Sequence, residues 1–122
     1  MDVRLAVHHV ALRAGDLEAT VAFYVTLLGL AEVKAERPRS VWLGLADGGV
    51  LMIEARSTSE PRVPAGSMDL LAFGVSGEQR RAIGDAARAR GCLDGETAHT
   101  VYLRDPDGRR VGVSDHPLLG KP

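Results

Sequence analysis

Apolar residues recur along this chain at two spacings, and the changes between them mark out its elements. In "HHVALRAGDLEATVAFY" (His8–Tyr24), a strand-like run passes through a turn directly into a helical pattern. Leu5–Ala14 is predicted as a buried strand. Asp16 is predicted to cap a helix over Leu17–Leu28, because Leu17, Val21, Tyr24 and Leu28 recur on one helical face and Gly29 is a natural stop. Strands are predicted at Ala31–Glu36, Ser40–Leu45 and Val50–Ala55, with "ADGG" (Ala46–Gly49) as a hairpin signal between the last two. "RSTSEPRVPAG" (Arg56–Gly66) then gathers polar residues and prolines into a linker.

The order repeats after the linker. Leu70–Val75 is a strand, and Ser76 with Gln79 forms a capping-box signature for a helix that ends before Gly91. Leu93–His99 is a weak edge strand and Thr100–Arg104 a stronger one. "DPDG" (Asp105–Gly108) is a turn, Arg110–Asp115 closes the pattern, and the tail "HPLLGKP" is expected to be peripheral. His9 placed on Leu70 gives an offset of 61, and Asp47-Gly48 placed on Asp107-Gly108 gives 60. Near-constancy at both ends of a module predicts a duplicated βαβββ unit. The expected architecture is α+β: two tandem βαβββ modules form one domain over residues 1–122, a curved mixed sheet with a concave cleft. Module one covers about 5–56, the linker 57–67 and module two about 68–115.

Alternation assigns the faces. Val10, Leu12 and Ala14 form the side that a helix covers, so His9, Ala11 and Arg13 face inward. Leu51 and Ile53 pack outward, leaving Val50, Met52 and Glu54 inward, together with Trp42 and Gly44. In the second module Leu71, Phe73, Val75, Val111 and Val113 are core, so Leu70, Ala72, Gly74, Arg110 and Gly112 face inward with Tyr102 and Arg104. Adjacent strand residues point to opposite faces, so His8 and His9 are not expected to serve one site.

Totals narrow the picture further. A chain of 122 residues suits one domain with a real core. With 15 basic and 16 acidic residues, the net charge of −1 carries no nucleic-acid or membrane-surface footprint. The single cysteine, Cys92, rules out an intrachain disulfide and predicts a reducing, cytoplasmic setting. It is read as structural, and His99 and His116 as surface residues. The N-terminal "MDVRLAVHHV" is too polar for a signal peptide, and no run reaches membrane-spanning length.

The stretch "HHVALRAGDLEATVAFY" with the later "RDPDGRRVGV" resembles the vicinal oxygen chelate superfamily. That group includes glyoxalase I, bleomycin-resistance proteins, extradiol dioxygenases and fosfomycin-resistance enzymes. The resemblance spans Leu5 to Val113 and implies a glyoxalase-like fold built from duplicated βαβββ modules. Metal-dependent members place four ligands, commonly His, Glu, His and Glu, on the first and last strands of each module. Those positions fall here on His9, Met52, Leu70 and Gly112. One donor of four remains, and Leu and Gly side chains have none to offer. No cofactor is therefore expected, with a divalent metal as the alternative.

Three functions follow from the resemblance and the residues. The first is a metal-free protein that binds a small organic molecule, with Trp42, Met52, Leu70, Tyr102, Arg104 and Arg110 as ligand-binding residues. The second is an enzyme of lyase, isomerase or dioxygenase type, with an unconventional metal site or with His9 or Glu54 as acid/base. The third is a partner-binding module. A homodimer is expected, because family members pair modules within or between chains.

Overall fold

In a computed structural model the described residues are 4–118, and the chain divides into two compact units, Met1–Pro61 and Arg62–Pro122. Each unit is a four-stranded mixed sheet with one helical segment, in the order βαβββ.

In the first unit, β1 (His9–Ala14) lies parallel to β4 (Val50–Ala55), and β3 (Ser40–Gly44) and β2 (Ala31–Glu36) continue the sheet antiparallel. The expected strand from Leu5 is too long by four residues. Leu5 and Val7 are largely exposed, and the ladder starts at His9↔Val50, because β4 itself begins there after the Asp47-Gly48 turn. Asp16 does cap α1 (Leu17–Ala22), its Oδ1 accepting from the Ala19 N–H at 3.0 Å. The helix does not run on as a regular α-helix to Leu28. It widens into a π-helical turn over Phe23–Leu27, which buries Phe23, Tyr24 and Leu27 together. These join Leu12, Ala14, Leu17, Val21, Val41, Leu43, Leu51 and Ile53 in the core, and Gly29 (φ 77°) ends the segment as expected.

The second unit repeats the plan. β5 (Leu70–Gly74) is parallel to β8 (Arg110–Ser114), followed by β7 (Thr100–Arg104) and β6 (Leu93–Glu96). α2 (Gly77–Arg90) starts on the expected capping box: Ser76 Oγ accepts from the Gln79 N–H at 3.0 Å, and Gln79 Oε1 from the Ser76 N–H at 2.9 Å. It ends at Gly91 with φ 75°. Small residues carry its packing on the sheet: Ala87 and Gly84 are buried, and a Cβ on Gly84 would stand 3.3 Å from Val101 Cγ2. The edge strand β6 stops at Glu96 rather than His99, since Thr97 and Thr100 close a turn there. The tail expected to be peripheral is exposed from His116 to Leu118, and its last residues lie outside the described range. No helix among the described residues is long and apolar enough to cross a membrane.

Candidate functional site

One face of each sheet packs on its helix, and the opposite face carries the candidate residues. In the first unit the ladders place Ala11 beside Met52 and Met52 beside Trp42, with Arg13, Glu54 and Ser40 in the next row. The buried Leu51, Ile53, Val41 and Leu43 alternate with them, so His9, Trp42, Met52 and Glu54 share the face away from the core. In the second unit Leu70 lies beside Arg110, Ala72 beside Gly112 and Tyr102 beside Gly112, with Arg104 opposite Arg110. All six ligand-binding candidates stand on faces turned from a core: Trp42 and Met52 on one sheet, and Leu70, Tyr102, Arg104 and Arg110 on the other.

The first unit's face is dominated by charge pairing around Arg13. Its Nε donates to Glu60 Oε2 at 3.0 Å, and its Nη1 to Glu54 Oε1 at 3.2 Å. The Glu60 carboxyl is lowered to about 2, chiefly by the hydrogen bond from Arg13 and then by the Ser57 backbone N–H. The same two carboxylates raise the guanidinium's affinity for its proton. Glu54, one of the two candidate bases, is thus already engaged by a cation. Glu60 reaches this cluster from the linker, and no local pattern in the sequence points to it.

His9 is exposed, and the expectation that His8 could not share its surroundings is contradicted. Their Nδ1 atoms lie 2.9 Å apart and the rings meet edge to face at 5.2 Å. Opposite orientation holds for residues within a ladder, and His8 precedes the first ladder pair, so its side chain is free to swing back. One ring must donate and the other accept in this contact.

The aromatic residues also carry partners. Lys34 Nζ sits 4.6 Å over the Trp42 ring and pairs with Glu36 at 3.2 Å. The Arg110 guanidinium lies 4.0 Å over Tyr102. Leu70 is 43% exposed, a large apolar side chain left open on its sheet. His99 and His116 are exposed as expected, their rings edge to face at 5.3 Å. His99 Nδ1 contacts Asp115 Oδ1 at 3.0 Å, and Arg80 Nε donates to Asp115 Oδ2 at 3.2 Å.

The family's metal positions can be tested against these faces. His9 and Met52 stand on adjacent strands of one sheet. Leu70 Cδ1 stands 3.4 Å from where a Gly112 Cβ would be, so that position is covered by hydrocarbon. The pair in the first unit offers an imidazole and a thioether, and the pair in the second offers no donor. Among the described residues no three His, Cys, Asp or Glu side chains come together as a metal-binding group. The residues present do not fit the usual four-ligand metal.

The duplicated βαβββ plan defines an α+β protein of the glyoxalase-like class. The chain belongs to the Glyoxalase/Bleomycin resistance protein/Dioxygenase superfamily, whose model matches residues 6–113. Solved structures share its fold. A lactoylglutathione lyase from Agrobacterium tumefaciens is 23% identical, covering 98% of this chain and all of that one, with a TM-score of 0.76. A possible glyoxalase from Bacillus cereus is 21% identical over 91% of this chain and 99% of that one, with a TM-score of 0.77. A fosfomycin resistance protein from Listeria monocytogenes, solved with manganese(II) and a dihydroxypropylphosphonic acid, is 18% identical over 95% and 94%, with a TM-score of 0.77. No curated protein matches the chain significantly.

Proposed function

We propose that this chain binds a small organic molecule on its open sheet faces and does so without the divalent metal of the metal-dependent members. The observation that carries this is the donor set: Met52, Leu70 and Gly112 stand at three of the family's four ligand positions. Support comes from each open face taken by itself: Trp42 and Met52 offer aromatic and hydrocarbon surface on one sheet, and Leu70 and Tyr102 on the other. The protein acts in the cytoplasm as a homodimer, and light scattering that finds only monomer at micromolar concentration contradicts the dimer.

The enzyme alternative is the weaker one. Glu54 Oε1 is already held by Arg13 Nη1 at 3.2 Å, which disfavours the carboxylate as a base, and His9 Nδ1 is engaged by His8. Thermal-shift measurement against a panel of small aromatic compounds tests the binding function, because a ligand that binds only the folded state raises the melting temperature. A stabilising compound that also perturbs the emission of Trp42, the sole tryptophan, is the expected result. A panel without any stabilising compound, together with turnover of a substrate that stops on His9→Ala, would overturn it.

A further inference from the structure

Two guanidiniums and one carboxylate meet on the open face of the second unit. Asp94 Oδ2 lies 3.1 Å from Arg104 Nε and 3.5 Å from Arg110 Nε. Arg104 is otherwise occupied in holding the fold together: its Nη1 donates to the Ser67 carbonyl at 2.7 Å and to the Gly108 carbonyl at 3.1 Å. Arg110 is different. Its Nε contact with Asp94 is long, and its Nη1 and Nη2 meet no acceptor among the described residues. The side chain is nevertheless only 17% exposed, with its guanidinium 4.0 Å over the Tyr102 ring. A guanidinium fixed in place by an aromatic ring, with its outer N–H fork uncommitted, is arranged to receive a planar oxyanion.

The surroundings favour the same ligand. Leu70, the next residue across the ladder, is exposed hydrocarbon, and it closes with Ala72 and Thr100 over the buried Gly112. The platform is rigid: buried Asp105 accepts from the Asp107 and Arg109 backbone N–H groups at 2.9 and 3.0 Å and pairs with Arg109 Nη1 at 2.8 Å, locking the β7–β8 turn. A cationic fork beside the exposed Leu70 side chain matches a molecule with a hydrocarbon body and a carboxylate.

The geometry points to Arg110, laid over Tyr102, as the receptor for the carboxylate of an aromatic or unsaturated small-molecule acid. Asp94 competes for that fork and so tunes the affinity. This deepens the binding function above and rests on it.

Benzoate and its neutral isostere benzamide are the probes, titrated into the full-length protein and followed by the backbone amide signals of Tyr102, Arg104 and Arg110. Benzoate is expected to bind about tenfold tighter than benzamide, the factor that a charge-assisted hydrogen bond supplies. Arg110→Gln should erase that preference. Asp94→Asn should increase it, and a gain of binding is not produced by misfolding. Equal affinity of the two probes for this face would overturn the carboxylate assignment and leave small-molecule binding standing. Neither probe moving these signals would overturn the carboxylate assignment, while the compound panel above decides small-molecule binding separately. Benzoate binding unchanged in Arg110→Gln would also overturn the assignment.

Discussion

Trp42 and Tyr102 occupy equivalent places in two copies of one plan, yet the charges beside them are balanced in opposite senses. In the first unit one guanidinium, Arg13, answers two carboxylates, Glu54 and Glu60, and the Lys34 ammonium over Trp42 is itself answered by Glu36. In the second unit two guanidiniums, Arg104 and Arg110, share the single carboxylate of Asp94. The ladders are the same: β1 runs beside β4 as β5 runs beside β8. Backbone pairing and the buried face therefore preserve the architecture, while the open face is free to diverge. Where it has diverged, the first unit saturates its cation and the second leaves a cation available to a ligand.

The buried faces offer the strongest way to probe that symmetry. Leu51 and Val111 are equivalent and both fully buried. Leu51→Ala should cost about 2–5 kcal/mol, from lost transfer energy and the cavity left behind. Val111→Ala removes less hydrocarbon and should cost less. Urea unfolding measures both, and a larger loss from Val111→Ala would break the equivalence of the two cores.

The helix starts differ next. Ser76 and Gln79 satisfy two backbone donors reciprocally, whereas Asp16 satisfies the Ala19 N–H alone. Ser76→Ala should lower stability by about 1 kcal/mol, and restoring Thr at this position should recover most of it. Thermal melting of the three proteins is the check.

The smallest expected effect is on acid stability. The Glu60 carboxyl has an ordinary value of 4.5 and is held at about 2 in the folded chain. A depressed carboxylate contributes stability that is fully present above its unfolded value and is lost as pH falls through its folded value. The loss from this pair should therefore develop between pH 4.5 and about 2. Salt should shrink it, because the pair is exposed. Arg13→Ala should flatten this part of the pH profile. In the second unit Asp115 is also lowered: desolvation opposes the shift, and the hydrogen bonds from His99 and Arg80 outweigh it. A profile in Arg13→Ala as steep as that of the parent would assign the acid loss elsewhere.

The faces were legible in the chain because alternation is a local signal. Val41, Leu43, Leu51 and Ile53 must all be covered, and that requirement alone turns Trp42, Met52 and Glu54 the other way. Helix caps were legible for the same reason, since Asp16 and Ser76 act on residues three positions ahead. The start of β1 was not, because Leu5–Val7 are apolar enough for a strand and only the absence of a partner from β4 stops the ladder at His9. The π-helical turn was hidden too: Leu17, Val21, Tyr24 and Leu28 fit a regular helix, and the widening shows only in the joint burial of Phe23, Tyr24 and Leu27. The charge partners of the open faces were beyond local reading. Glu60 lies 47 residues from Arg13, and nothing in the spacing of Asp94 and Arg104 marks them as a pair.

The central claim, binding of a small molecule without the family's usual metal, is tested most directly by metal retention. Purified protein equilibrated with zinc or manganese(II) and then dialysed is assayed by elemental analysis. Metal well below one ion per chain is expected, because the neighbouring imidazoles of His8 and His9, turned on each other, and a thioether fall short of the three or four donors that hold a divalent ion through dialysis. One retained ion per chain, lost in His9→Ala, would contradict it.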